Sequence, residues 1–276
     1  SVESGGAIDL YVAADTAGAS DSNPGTIAQP LATITEAVTR VNAFDVLTGL
    51  TTIHVAPSPI AGPYAFNVVL QPKILRFAAS WTIIGDGAGQ GGDGFTVLSG
   101  PTAAVAGSSA VQVVRAAGLG VNTFRGKTIQ ITSGAANGDN RTIRDHTDTT
   151  IIPSRNFTAA VAAGDTFRIV EPAVKITPNL GASGNTTMCE DIGGGANTAQ
   201  FTGDPVTLET IPALMLVNLG FQPAVSAGMR LGRSRVVFFG CEYFGAAAFG
   251  CVFHFDSSEL LFGTEWPGQN NRAAIG

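Results

Sequence analysis

The chain has 276 residues, 45% of them hydrophobic and only 13% charged, with 35 glycines, 14 prolines and a formal net charge of −6. So high an apolar share excludes a disordered chain. An acidic balance with no basic cluster larger than Arg230, Arg233 and Arg235 argues against a nucleic-acid partner, and no stretch nears the eighteen apolar residues of a membrane-spanning helix.

The first residues, SVESGGAIDLYVAADT, lack the basic start and apolar core of a signal peptide. Residues 8–14 alternate as a strand. Leu31, Ile34, Ala37, Val38 and Val41 then follow helical spacing, with Thr35, Glu36, Thr39 and Arg40 mostly opposite. Thr33 is placed to cap this helix, and Glu36, three residues on, to complete a capping box. The helix is expected to continue to about Val46, and residues 50–57 to form a second strand stopped by prolines. A lone amphipathic helix must bury its stripe against sheet. It does so by covering a sandwich face, or by closing the end of a solenoid and shielding the unpaired edge there.

The glycine-rich segment at 85–94, GDGAGQGGDG, lacks the Lys-Ser/Thr of a phosphate-binding loop and precedes no helix, so it is read as a turn. Between 121 and 172 short alternating strands (GKTIQITSG, NRTIRD, TTIIPSRNF, GDTFRIVEP) are joined by Gly-, Asn- and Asp-rich turns. Residues 137–140 are expected to connect a hairpin of 129–132 with 141–143. This stretch reads as a small antiparallel, barrel-like module inserted at a surface loop. His146, beside Asp145, is taken for a solvated turn residue. Residues 181–203, rich in small side chains, are a long loop or weak strands.

The C-terminal part decides between sandwich and solenoid. A shift of 22 carries Leu214 to Val236, Leu216 to Phe238, Asn218 to Gly240, Leu219 to Cys241 and Phe221 to Tyr243. A shift of 24 carries Val236 to Leu260, Phe238 to Phe262, Met229 to Phe253 and Leu231 to Phe255. Recurrence at this spacing marks a solenoid whose turns each supply two or three strands. Alternation puts Val236, Phe238, Cys241 and Tyr243 inside and sets Arg230 above His254 outside. The three cysteines, Cys189, Cys241 and Cys251, form no CxxC pair and are read as small buried hydrophobes.

The opening carries a resemblance. Tyr11 and Val12; Asp21, Asn23, Gly25 and Thr26; Pro30, Ala32, Thr33, Ile34 and Ala37; and Ile53 and Val55 resemble the start of right-handed parallel β-helix proteins of the pectin-lyase-like superfamily. The likeness is strongest to bacteriophage tailspikes and tail fibres. It implies an all-β chain: a right-handed parallel β-helix whose helix caps the first coil, with the antiparallel module let into it. It also implies a homotrimer in a virion appendage (alternatively an extracellular protein) with a bacterial surface polysaccharide as partner. Charge and hydropathy give no nucleic-acid or membrane partner, and no cofactor is expected. The stretch PSPIAGPY, ending at Tyr64, departs from the family's usual G-T-Y. The expected organisation is 1–56 for the first coil and cap, 57–120 for rungs, 121–172 for the module and 173–276 for further rungs. The last rung is expected to be covered by a missing domain or a neighbouring chain.

Chemistry is less constrained. Glycan hydrolysis uses two carboxylates, about 5–5.5 Å apart for retention or about 6.5–9.5 Å for inversion; strands of adjacent rungs lie about 4.8 Å apart. The candidates are Glu242 with Glu265 or Asp256, and Glu190 with Asp191, although neighbours on a strand point to opposite faces. Solvated surface carboxylates are the simpler reading. A lyase base would come from Arg230, Arg233 and Arg235 with His254. No aspartate cluster suits calcium, and His54, His146 and His254 lack zinc-site spacing, so no metal is expected. Phe239, Phe244 and Trp266 are expected to stack on sugar rings or to pack against sister chains. Three functions remain: a structural, receptor-binding tail component; a polysaccharide depolymerase, hydrolase or lyase, on the same scaffold; and a secreted bacterial adhesin or carbohydrate-binding solenoid.

Overall fold

The computed structural model describes residues 2–66, 73–76, 79–89, 93–121, 123–178, 186–189, 214–221, 227–232, 235–243, 251–256 and 259–263. The chain divides into two compact units, one holding Ser1–Phe95, Pro172–Phe238 and Glu242–Leu261, the other built on Thr96–Glu171 with short later segments.

The first unit is a parallel β-helix. One six-stranded sheet runs, in spatial order, Ile8–Val12, Leu50–Val55, Ser80–Gly85, Leu214–Val217, Arg235–Phe239 and Glu259–Gly263. A second stacks Tyr64–Phe66, Val174–Pro178, Leu219–Phe221 and Glu242–Tyr243, and a third Thr186–Cys189, Ala227–Gly232 and Cys251–Asp256. Val46–Leu47 pairs with Ile74–Leu75. The ladders resolved residue by residue in these sheets are parallel, and the chain visits the sheets in rotation.

Strand alternation then sends every second side chain inward, and the register stacks like on like. Leu10, Ile53, Ile83 and Leu216 occupy one buried column; Tyr64, Ile176 and Phe221 occupy another. Each such side chain contributes about 1.5–3 kcal/mol by leaving water. Phe238 adds an edge-on contact to Phe221, with ring centroids 6.0 Å apart. The shift of 22 holds as Phe221 opposite Tyr243, and the shift of 24 as Met229 opposite Phe253 and Leu231 opposite Phe255. Asn218 and Gly240, matched by that first shift, are both left-handed corner residues (φ 53° and 58°), a conformation Asn and Gly tolerate best. Asn218 Nδ2 also donates to the Gly85 carbonyl of the preceding coil, at 3.2 Å.

The helix spans Ile34–Asn42 and buries Ile34, Ala37, Val38 and Val41. It stops short of Val46, because the Asp45 and Val46 amides both donate to the Val2 carbonyl and draw the chain into a strand. Thr33 Oγ1 accepts from Glu36 N (3.1 Å), but the Glu36 carboxylate turns to Arg40 (2.8 Å), so only half of the expected capping box forms. The loop before it explains the opening motif. Asp21 accepts from Ala32 N, Thr33 N and Thr33 Oγ1 at 2.9–3.1 Å, and Asn23 Nδ2 donates to the Gly18 and Pro30 carbonyls. Gly25 sits at φ +83° where a Cβ would lie 2.9 Å from Leu10 Cδ2. Held this way, the loop pairs with the outer edge of Ile8–Val12: Tyr11 N to Gly25 O, Leu31 N to Tyr11 O and Ala13 N to Leu31 O, at 2.8–3.0 Å. Loop and helix together close the end of the solenoid.

The second unit is an antiparallel sheet ordered Phe95–Ala103, Thr166–Pro172, Thr128–Ile131, Asn140–His146, Thr150–Pro153 and Val113–Val114. Val105 N donates to Val114 O (2.8 Å), bringing the two ends of the sheet together. The sheet therefore recruits strands upstream of residue 121. Ile129, Ile131, Ile143, Ile151, Phe167 and Ile169 fill its core. A buried ion pair, Arg141–Asp139 at 3.2 Å, lies in the same unit. Asp139 also accepts from the Thr158 amide and hydroxyl, Arg141 donates to Asn156 O, and the guanidinium lies over the Phe157 ring. His146 is buried, not solvated: Nε2 accepts from Phe124 N at 2.8 Å, which leaves Nδ1 to donate to Thr147 O at 3.0 Å.

Candidate functional site

The described residues among those singled out from sequence fall in different strands. Arg230 and His254 take adjacent register positions in neighbouring strands, as the repeat implied. Glu242 opens Glu242–Tyr243 opposite Gly220 and is half-buried, whereas Asp256 ends Cys251–Asp256 opposite Gly232 in a different sheet. Phe239 is half-buried at the end of its strand, and its carbonyl accepts from Cys241 Sγ at 3.6 Å. Cys241 is a buried thiol outside any disulfide. Glu190, Asp191, Phe244, Glu265 and Trp266 lie outside the described residues.

The structure assembles a different cluster on the outer face of the first three coils. Alternation turns Asp9 and Tyr11 outward from Ile8–Val12, and His54 outward from Leu50–Val55. Register sets Tyr11 opposite His54, and their rings stack with centroids 4.6 Å apart and planes 9° apart. On the other side His54 faces Ile84, and two residues further Asp86 begins the glycine-rich turn. His54 Nδ1 lies 2.5 Å from Asp86 Oδ2, and Nε2 lies 3.6 Å from Asp9 Oδ1. Burial pulls the His54 pKa down, but the hydrogen bond and charge of Asp86, reinforced by Asp9, outweigh it and leave it raised. Burial beside Asp9 and Asp86 also raises the Tyr11 phenol.

The other oxygen of Asp86, Oδ1, accepts from Ala88 N at 3.0 Å. Ala88 is left-handed (φ 47°) and packs beneath the surface with Ala13 and Ala56. The described start of the segment read as a turn, residues 86–89, is one, and a carboxylate pins it to the coil. A pair of outward carboxylates brought together across coils is what glycosidic chemistry requires, but Asp9 and Asp86 both face one imidazole. Both carboxylates are turned to His54 rather than to each other. Among the described residues no group of three or more His, Cys, Asp or Glu is arranged to hold a metal ion. No described helix is long and apolar enough to cross a membrane.

No family model matches the chain, and no curated protein does. Among solved structures it is similar to the tailspike protein gp49 from Pseudomonas phage LKA1, with 10% identity over 72% of this chain and 34% of that one and a TM-score of 0.23. It is also similar to a glycoside hydrolase, with 12% identity over 85% and 65% and a TM-score of 0.23. A third is the tailspike gp61 from Pseudomonas phage phi297, with 10% identity over 80% and 41% and a TM-score of 0.20. The chain spans 34% of the length of the first of these tailspikes.

Proposed function

We propose that the chain is a structural, receptor-binding component of a bacteriophage tail appendage, a β-helical homotrimer that engages a bacterial surface polysaccharide. The observation that carries this reading is the capped parallel coil. Asp21, Asn23, Gly25 and Thr33, which bear the resemblance to tailspike openings, each hold the loop and helix over the first strand. A coil repeats its outward positions about every 4.8 Å, a regular flank suited to a linear polymer of sugars. In this reading Phe239, Phe244 and Trp266 supply apolar contact to sugar rings or to sister chains, and Arg230 with His254 supplies the polar contact.

The test is light scattering of the purified chain together with binding to polysaccharide extracted from candidate host cells. A trimer that binds, weakened by Phe239→Ala with Phe244→Ala, is the expected result. A monomer that binds no host polysaccharide overturns it. Release of reducing ends, abolished by Glu242→Gln, would move the chain to the depolymerase class instead.

A further inference from the structure

We propose that His54 is a proton-operated clasp that ties the first three coils of the β-helix together at the capped end. Both of its ring nitrogens face carboxylates, Asp86 at 2.5 Å from Nδ1 and Asp9 at 3.6 Å from Nε2. A neutral imidazole carries one N–H and one lone pair. Whichever tautomer forms, a lone pair then points at an anion. Only the imidazolium presents an N–H to both, hydrogen-bonded to Asp86 and in ion-pair range of Asp9, so protonation turns one repulsive contact into a second attractive one.

The three partners belong to successive coils: Asp9 to the first, His54 to the second, and Asp86 to the turn that ends the third strand. The titratable groups facing His54 are Asp9 and Tyr11 from one neighbouring strand and Asp86 from beyond the other, where Ile84 is the apolar register partner. Asp86 also holds Ala88 in a left-handed conformation, which costs a non-glycine residue energy and persists only when its surroundings hold it there. The clasp therefore restrains the turn as well as the coils. Closed, it locks Tyr11 flat against the ring; open, it leaves two carboxylates beside a neutral histidine.

The sign follows from linkage. His54 is raised in the folded chain, so its contribution is fully present below the free-histidine value of about 6.5 and is lost as pH climbs through the higher folded value. The experiment is an NMR titration of the histidine ring nitrogens in the intact chain, paired with thermal unfolding of wild type and His54→Gln. His54 is expected to keep both N–H groups past the ordinary titration point. The Tm gap between the two proteins is expected to be larger at about pH 5.5 than at about pH 8.5, because the imidazolium contacts are lost as pH rises. A gap equal at both pH values, or a His54 that titrates at or below its ordinary value, overturns the clasp. If His54→Gln does not fold, Asp86→Asn decides the matter: it must lower the His54 midpoint, and by more than Asp9→Asn does, because Asp86 makes the shorter contact. An unchanged midpoint in Asp86→Asn refutes the proposal.

Discussion

The coil and the antiparallel module treat buried charge differently. In the module a cation is buried with its anion: Arg141 lies against Asp139, and every polar atom around them finds a neighbour, down to the Thr158 amide and the Asn156 carbonyl. Among the described residues, the coil buries columns of aliphatic and aromatic side chains and turns its charges outward, with one exception. Lys73 is 2% exposed, and its Nζ donates at 2.6 Å to the Phe44 carbonyl just past the helix end. Burial lowers its pKa to about 8, against the partial support of Asp45. A fold that repeats a rung sets its register with stacked apolar columns and needs no buried ion pair to do so. A small closed sheet, with fewer residues to stack, uses polar pairing to fix its own.

Three measurements sharpen that contrast. The largest effect is expected from Arg141→Met. Leaving Asp139 buried without its cation should cost about 3–5 kcal/mol in denaturant unfolding, while Arg141→Met with Asp139→Leu should recover most of it. A midpoint unchanged in the single variant would show that the pair is not what orders the module.

Lys73 predicts an intermediate effect that depends on pH. Its folded pKa is lowered from 10.5 to about 8, so the unfolded chain binds more protons between those values and stability rises with pH across the window. Tyr64 opposes it only higher up. Burial lifts its phenol to about 12, so its contribution is intact below about pH 10 and is lost above. Unfolding midpoints should therefore climb from about pH 8 to about pH 10 in the wild type and stay level in Lys73→Met. A climb that persists in the variant assigns it to another group.

The smallest effect is expected at the cap. Thr33→Ala removes the acceptor for Glu36 N and the donor to Asp21, at a cost of about 1 kcal/mol. Thr33→Ser should restore it. Loss of the whole coil transition in Thr33→Ala would mean that the helix does more than close an end.

How much of this the sequence disclosed depended on spacing. Near the C-terminus Gly220 faces Glu242 and Ala227 faces Cys251, so coils recur at nearly constant length and their apolar positions can be aligned by eye. Earlier, Ile8 faces Thr51, Leu50 faces Ser80 and Thr82 faces Met215. Loops of unequal length and the inserted module remove any fixed period there. The cluster of Asp9, Tyr11, His54 and Asp86 was hidden for that reason, although outward alternation around His54 and the aspartate closing IIGD were both visible. His146 was misplaced for a local reason. A bulge between Ile143 and Asp145 leaves Arg144 and Asp145 exposed and swings His146 inward, which simple alternation does not foresee. The strand Phe95–Ala103 escaped because neither of its faces is consistently buried, so it carries no apolar rhythm to detect.

The seam between the two textures has its own consequence. Ala173 N donates to Gly94 O at 2.8 Å, and Ser58 in the coil below stitches the returning strand through the Ala173 carbonyl and the Lys175 amide. Departure and return thus sit within one hydrogen bond of each other, and each doubling of the chain between them adds only about 0.6 kcal/mol to the entropic cost of closing it. The solenoid has a socket: a segment lengthened or shortened between those two residues is expected to leave the columns that carry the coil in register.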